Sequence, residues 1–166
     1  DEGHLRPTLA ASLTKHRIAP ALIEIEITES SMMGGGELVS NQLTAIQALG
    51  IKLLVDDFGT GYSSLSQLQR LDMDVLKIDR AFTSQLSNDP NGNVLFKAIV
   101  VMAHALGMRV VAEGVETAGQ LRALQEMCCN EIQGFLISRA VPASAMPAIM
   151  QKRSLFPQST PQLELA

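Results

Sequence analysis

The chain has 166 residues, 46% of them hydrophobic and 4% aromatic with no Trp, and it carries a formal charge of −4. That length fits one domain with an aliphatic, methionine-filled core, and the acidic balance excludes the basic surface that a nucleic-acid polymer requires. The longest apolar stretch, residues 98–108, contains His104 and is too short to span a bilayer, so no membrane contact is expected within this chain.

Residues 22–27 (LIEIEI) alternate apolar and acidic side chains and read as a strand. Over residues 38–49, Val39, Leu43, Ile46 and Leu49 fall on one helical face, and Gly50 ends the helix. Residues 51–55 (IKLLV) form a second strand that runs into Asp56 and Asp57. A glycine-rich turn and a short helix over 63–71 follow, then a third strand over 75–78. A helix over 94–106 aligns Leu95, Ile99, Met102 and Leu106 and closes at Gly107. A fourth strand over 109–112 ends at Glu113. Thr117 and Gln120 suggest a capping box for a helix reaching Met127. A fifth strand over 131–136 and a last helix over 143–151 complete the domain, 1–151. Residues 152–166, rich in Pro, Ser and Gln, read as a tail. The adjacent Cys128 and Cys129 offer no disulfide framework, which favours the cytoplasm and buried, inert thiols.

Strands alternating with helices imply parallel pairing: either a doubly wound sheet or about five βα units of a (β/α)₈ barrel. Periodicity does not choose between the two. In both, ligands bind at the C-terminal ends of the strands. Those ends carry Glu26 and Glu29, Asp56 and Asp57, Lys77 and Asp79, Glu113 and Glu116, and Gln133 lies in the fifth strand. Several carboxylates on one rim need compensating charge. Hard divalent cations such as Mg²⁺ and Mn²⁺ supply it through oxygen ligands, and a pair of them can clamp a phosphodiester undergoing displacement. A nearby lysine can stabilise charge in the transition state. Each residue also has a plain structural explanation: Glu26 as a solvated strand residue, Asp56 and Asp57 as turn residues, Lys77 as a surface ion-pair partner.

Five segments in order, EIEITES (24–30), DDFGTGYSS (56–64), LKIDR (76–80), VAEGVET (111–117) and IQGFL (132–136), resemble the EAL family of cyclic-di-GMP phosphodiesterases. The resemblance covers roughly residues 3–151. It implies a TIM-like barrel that hydrolyses cyclic-di-GMP to the linear dinucleotide with Mg²⁺ or Mn²⁺, in a two-metal site when the domain is complete. By resemblance, Glu26, Asp56 and Asp57 are metal ligands. Lys77 and Glu113 are catalytic, Lys77 positioning the water and Glu113 acting as base or second-metal ligand. Glu29, Asp79, Glu116 and Gln133 take supporting or substrate-side roles, and Glu29 anchors a mobile loop of Phe58, Gly59, Thr60, Gly61, Tyr62, Ser63 and Ser64.

The Glu-Ala-Leu motif and an early-strand asparagine of the family have no counterpart in these residues. The expectation is a partial barrel without its first three strands. On its own this chain should be weakly active or inactive, and another copy or a partner chain should cover the open side. The competing expectation is a catalytically inactive module that serves as a cyclic-di-GMP receptor or a protein-interaction domain.

Overall fold

The computed structural model describes residues 5–34, 36–59, 65–86 and 90–151. The expected tail 152–166 and loop residues 60–64 lie outside them. Five strands, β1 (Glu24–Thr28), β2 (Lys52–Phe58), β3 (Val75–Ile78), β4 (Arg109–Ala112) and β5 (Glu131–Ile132), pair in sequence order. Every pairing is parallel. Helices connect them: α1 (Leu5–His16) precedes β1, and α2 (Glu29–Gly34) and α3 (Gly36–Gln47) follow it. Next come α4 (Leu65–Leu71), α5 (Arg80–Thr83), α6 (Pro90–Ala105), α7 (Ala118–Glu126) and α8 (Met146–Met150). This is an α/β fold of five βα units, a curled parallel sheet with α1, α3, α4, α6 and α7 contributing to one core against it. No helix among the described residues is long and apolar enough to cross a membrane.

The register separates the two faces of the sheet. Leu53, Val55, Leu76, Ile78, Val110 and Ala112 are buried and join one core with Leu43 and Ile46 of α3 and Phe96, Ile99, Val100 and Ala103 of α6. Each of the Val, Leu, Ile and Phe side chains among them contributes about 1.5–3 kcal/mol relative to exposure. The opposite set, linked by the pairings of Glu26 with Leu54, Leu54 with Val75, Val75 with Arg109 and Val111 with Glu131, is the concave face. Its side chains reach across strands. Arg109 on β4 pairs with Glu131 on β5 and with Glu24 on β1, 3.1 Å away. β1 and β4 are three strand spacings apart, about 14 Å in a flat sheet. Their contact belongs to a sheet that curls as a barrel does.

Several boundaries differ from the sequence-based expectation. β1 starts at Glu24, because Pro20–Leu22 form a 3₁₀ turn. β2 runs through Asp56 and Asp57 to Phe58. β5 stops at Ile132 rather than 136, because the following residues turn around Val115. The Val115 amide donates to the Gln133 carbonyl and the Leu136 amide donates to the Val115 carbonyl, both at 3.0 Å. The buried stripe of α6 is Phe96, Ile99, Val100 and Ala103, while Leu95 is exposed. Cys128 is exposed, against expectation: it occupies a left-handed turn (φ 61°) after α7 that projects it from the core.

Candidate functional site

Adjacent residues in a regular strand point to opposite faces, so Asp56 and Asp57 should diverge. The pairing of β2 with β3 shows why they do not. Val55 pairs with Leu76 and Phe58 with Ile78, so Asp56 and Asp57 together oppose the single residue Lys77. This is a bulge, and Asp57 sits at φ 55° within it. Asp tolerates that left-handed conformation better than most residues. The bulge turns both carboxylates toward the same place: oxygens of Asp56, Asp57 and Glu113 all lie within 4.8 Å of one another.

Lys77 stands at the centre. Its Nζ lies 2.6 Å from Glu113 Oε1, 2.8 Å from Glu26 Oε1 and 2.9 Å from Asp56 Oδ1. The lysine is buried, whereas Glu26 is half exposed. Burial alone would lower the ammonium pKa. Contacts with Glu113, Glu26 and Asp56 outweigh it and push the pKa well above the ordinary 10.5. Lys77 is therefore a fixed cation at neutral pH. Three carboxylates share this one ammonium, and an Asp57 carboxylate oxygen lies within 4.8 Å of oxygens of Asp56 and Glu113.

That imbalance tests whether a cation fits. Asp56 Oδ1 is buried and, although ion-paired to Lys77, makes no directed hydrogen bond. The Lys77 ammonium engages one side of this oxygen and leaves the other for a cation. The donors are all carboxylate oxygens, a set that suits hard divalent ions rather than zinc or copper. Asp56, Asp57 and Glu113 could hold such an ion, with Glu26 beside them.

The exit from β4 holds Glu113 in place. Its amide donates to the Ile78 carbonyl at 3.1 Å. Gly114 follows at φ 66°, and a Cβ there would lie 2.4 Å from Arg80 Cγ, so only glycine lets the Arg80 side chain lie across this turn. Arg80 then pairs with Glu116 at 3.0 Å, an exposed contact. Asp79 caps α5, its Oδ1 accepting from the Ala81 amide at 2.8 Å. Glu29 is 2% exposed, and its Oε2 accepts from the Gly59 amide at 3.0 Å. Gln133 has its backbone held on both sides and its side chain exposed.

Comparison with known proteins places this geometry. A family profile described as the EAL domain matches residues 2–140. The chain belongs to the EAL-domain family. It is 40% identical over 137 residues to the bifunctional diguanylate cyclase/cyclic di-GMP phosphodiesterase MucR of Pseudomonas aeruginosa, covering 82% of this chain but only 20% of that protein. A structure of the MucR phosphodiesterase in complex with cyclic di-GMP superposes with a TM-score of 0.82 at 38% identity, covering 87% of this chain and 58% of that one. The manganese and cyclic di-GMP complex of Klebsiella pneumoniae BlrP1 superposes with a TM-score of 0.75 at 34% identity, covering 80% and 34%.

This EAL domain thus gathers Glu26, Asp56, Asp57, Lys77 and Glu113 at one point. It keeps Glu29, Asp79 and Glu116 in hydrogen bonds or ion pairs around that point. Thr60, Gly61, Tyr62, Ser63 and Ser64 lie outside the described residues. Two features escaped the sequence reading. One is the Arg109 clasp, whose only signal is an arginine opening β4 while glutamates open β1 and β5. The other is the full set of bonds made by Gln120, of which the sequence showed only the helix cap.

Proposed function

We propose that this EAL domain hydrolyses cyclic di-GMP to the linear dinucleotide with a divalent cation, Mg²⁺ or Mn²⁺, held by Asp56, Asp57, Glu113 and Glu26. The observation that carries this reading is the ammonium of Lys77 set among three carboxylates at 2.6–2.9 Å, with Asp57 completing an oxygen-only cluster. The named activities of MucR and the manganese complex of BlrP1 support it. Bound there, a divalent cation would supply Lewis-acid polarisation of the phosphate and an acidified water. Glu113 takes one of two roles in this reading, a ligand of the cation or the base that accepts a proton from the attacking water. Lys77, protonated throughout, balances the negative charge that grows on the phosphate oxygens as the new P–O bond forms and the ester P–O bond breaks, the departing oxygen taking its proton from solvent. Glu29, through Gly59, links the loop after β2 to this site. Asp79 and Glu116 hold the segments behind Lys77 and Glu113, and Gln133 borders the substrate side.

The outer edges of β1 and β5 have no strand partner among the described residues. A second copy of the chain or a partner chain is proposed to cover them, and light scattering at several concentrations tests this. A single monomer mass throughout would remove it.

The deciding experiment incubates the protein with cyclic di-GMP and excess Mn²⁺ and follows the linear product by chromatography. Slow turnover at most is expected from this chain alone, with more when a second copy or partner chain covers the open edges, and any product should vanish in Glu113→Gln while nucleotide binding persists. Binding with no turnover even when those edges are covered would replace this reading with that of a receptor module.

A further inference from the structure

Gln120 is buried at the third position of α7 and makes more bonds than a helix cap requires. Its side-chain oxygen accepts from the Glu116 and Thr117 amides at 2.8 and 3.0 Å, and the Thr117 hydroxyl accepts from the Gln120 amide at 3.2 Å. Those bonds complete the capping box. The side-chain nitrogen then donates to the Thr83 carbonyl at 3.2 Å, a bond within the protein interior that spans 37 residues. Capping does not call for it. A capping box accepts Glu or Gln equally, yet only Gln can also donate to a carbonyl.

The two segments joined by this bond are the ones that leave the site. Thr83 is the last residue of α5 and is fully buried. That helix begins three residues after Lys77 and is capped by Asp79. Glu116 and Thr117 end the turn that begins at Glu113. On its other flank the same turn is fastened to the Gln133 carbonyl through the Val115 amide. Gln120 therefore closes the side of the Glu113 turn that faces β3.

We propose that Gln120 is a positioning residue: by tying the β4 exit to the end of α5 it fixes the distance between Lys77 and Glu113, and with it the geometry of the divalent-cation site. This rests on the metal reading given above. Residues that orient metal ligands typically change metal affinity 10–100-fold when replaced.

The test compares Gln120→Glu, which keeps the capping box and loses the donor to Thr83, with Gln120→Met, which loses both. At pH 8, Mn²⁺ affinity is measured by calorimetry with the metal alone, and hydrogen exchange is followed at the Glu113 amide, which Gln120 does not touch. Both variants should bind Mn²⁺ about tenfold more weakly and exchange the Glu113 amide faster than the parent. A cap alone predicts that Gln120→Glu matches the parent in both measurements, and that result would overturn the proposal. If Gln120→Glu does not fold, unchanged affinity and exchange in Gln120→Met overturn it equally. If the unsubstituted protein takes up no Mn²⁺ that Glu113→Gln abolishes, the metal reading falls, and protection of the Glu113 amide alone decides whether Gln120 holds the turn.

Discussion

Lys77 Nζ and Glu113 Oε1 lie 2.6 Å apart at the centre of the site, and the same ammonium also serves Glu26 and Asp56. The lysine thus occupies the position of a counter-ion for carboxylates that would otherwise repel one another. Replacing it with an apolar chain of similar length isolates that role. Lys77→Met should destabilise the metal-free protein by about 2 kcal/mol. That is less than the 3–5 kcal/mol of a fully buried pair, because the carboxylates keep part of their hydration. Added Mn²⁺ should stabilise the variant more than the parent, since binding to the native state adds directly to stability and the ion then supplies the missing charge. Thermal unfolding with and without Mn²⁺ checks this. Equal gains in Tm for the two proteins would show that the carboxylates do not share a cation site. Turnover of cyclic di-GMP should be lost in the variant under all conditions.

Gly59 links the carboxylate strand to the loop beyond it under two constraints. Its φ is 98°, and a Cβ there would lie 2.4 Å from the Phe82 ring. Gly59→Ala should therefore cost about 1–3 kcal/mol and weaken the hydrogen bond from its amide to Glu29. In a Phe82→Leu background the ring atoms that obstruct the methyl are gone, so the same change should cost at least about 0.5 kcal/mol less, a non-additivity expected of residues in contact. Denaturant unfolding of the four proteins gives the cycle. Strict additivity would place the whole penalty on the backbone dihedral.

The ends of the strands were legible in the sequence because each motif joins an apolar β run to a charged residue: IEIE to Glu29, LLV to Asp56, VLK to Asp79, VVA to Glu113. A parallel sheet buried against helices explains the apolar part, and the strand-end rule explains the position of the charge. What periodicity could not show was how Asp56 and Asp57 come to face one way. That depends on a bulge whose only trace is the failure of β2 and β3 to match in register. The Arg109 contacts were illegible for a related reason. One joins neighbouring strands across 22 positions, and the other joins residues 85 positions apart that meet only when the sheet curls. The two-residue β5 was overestimated because IQGFL is apolar enough for a strand, yet its backbone is spent on Val115.

Arg109 bridges Glu24 and Glu131 at the N-terminal ends of the strands, with all three side chains at least 41% exposed. Exposed pairs of this kind contribute little, and salt screens them. Arg109→Met should lower stability by about 1 kcal/mol or less at low ionic strength, and the difference from the parent should shrink in 1 M NaCl. Urea unfolding at the two salt concentrations measures both quantities. A loss above about 2 kcal/mol that persists in high salt would mean that the clasp is desolvated and holds the curvature of the sheet more firmly than its exposure implies.

Cys128 and Cys129 are neighbours in sequence but not in environment. Cys128 is exposed in its left-handed turn, whereas Cys129 is partly buried and its Sγ–H donates to the Val110 and Glu131 carbonyls at 3.6 and 3.3 Å. Burial pushes the Cys129 thiol above its ordinary pKa, outweighing the neighbouring backbone hydrogen bonds that lower it. Because the thiolate is the reactive species, a raised pKa leaves less of it at any pH below that value. Cys129 should therefore alkylate more slowly than Cys128 at pH 7–8, by about tenfold or more, and should gain reactivity only as the pH rises further. Timed iodoacetamide labelling of the folded protein, followed by peptide mass spectrometry, resolves the two sites. Equal rates would mean that the turn after α7 opens often enough to expose Val110 and the start of β4. Slow labelling of Cys129 alone would show that this end of the sheet stays closed.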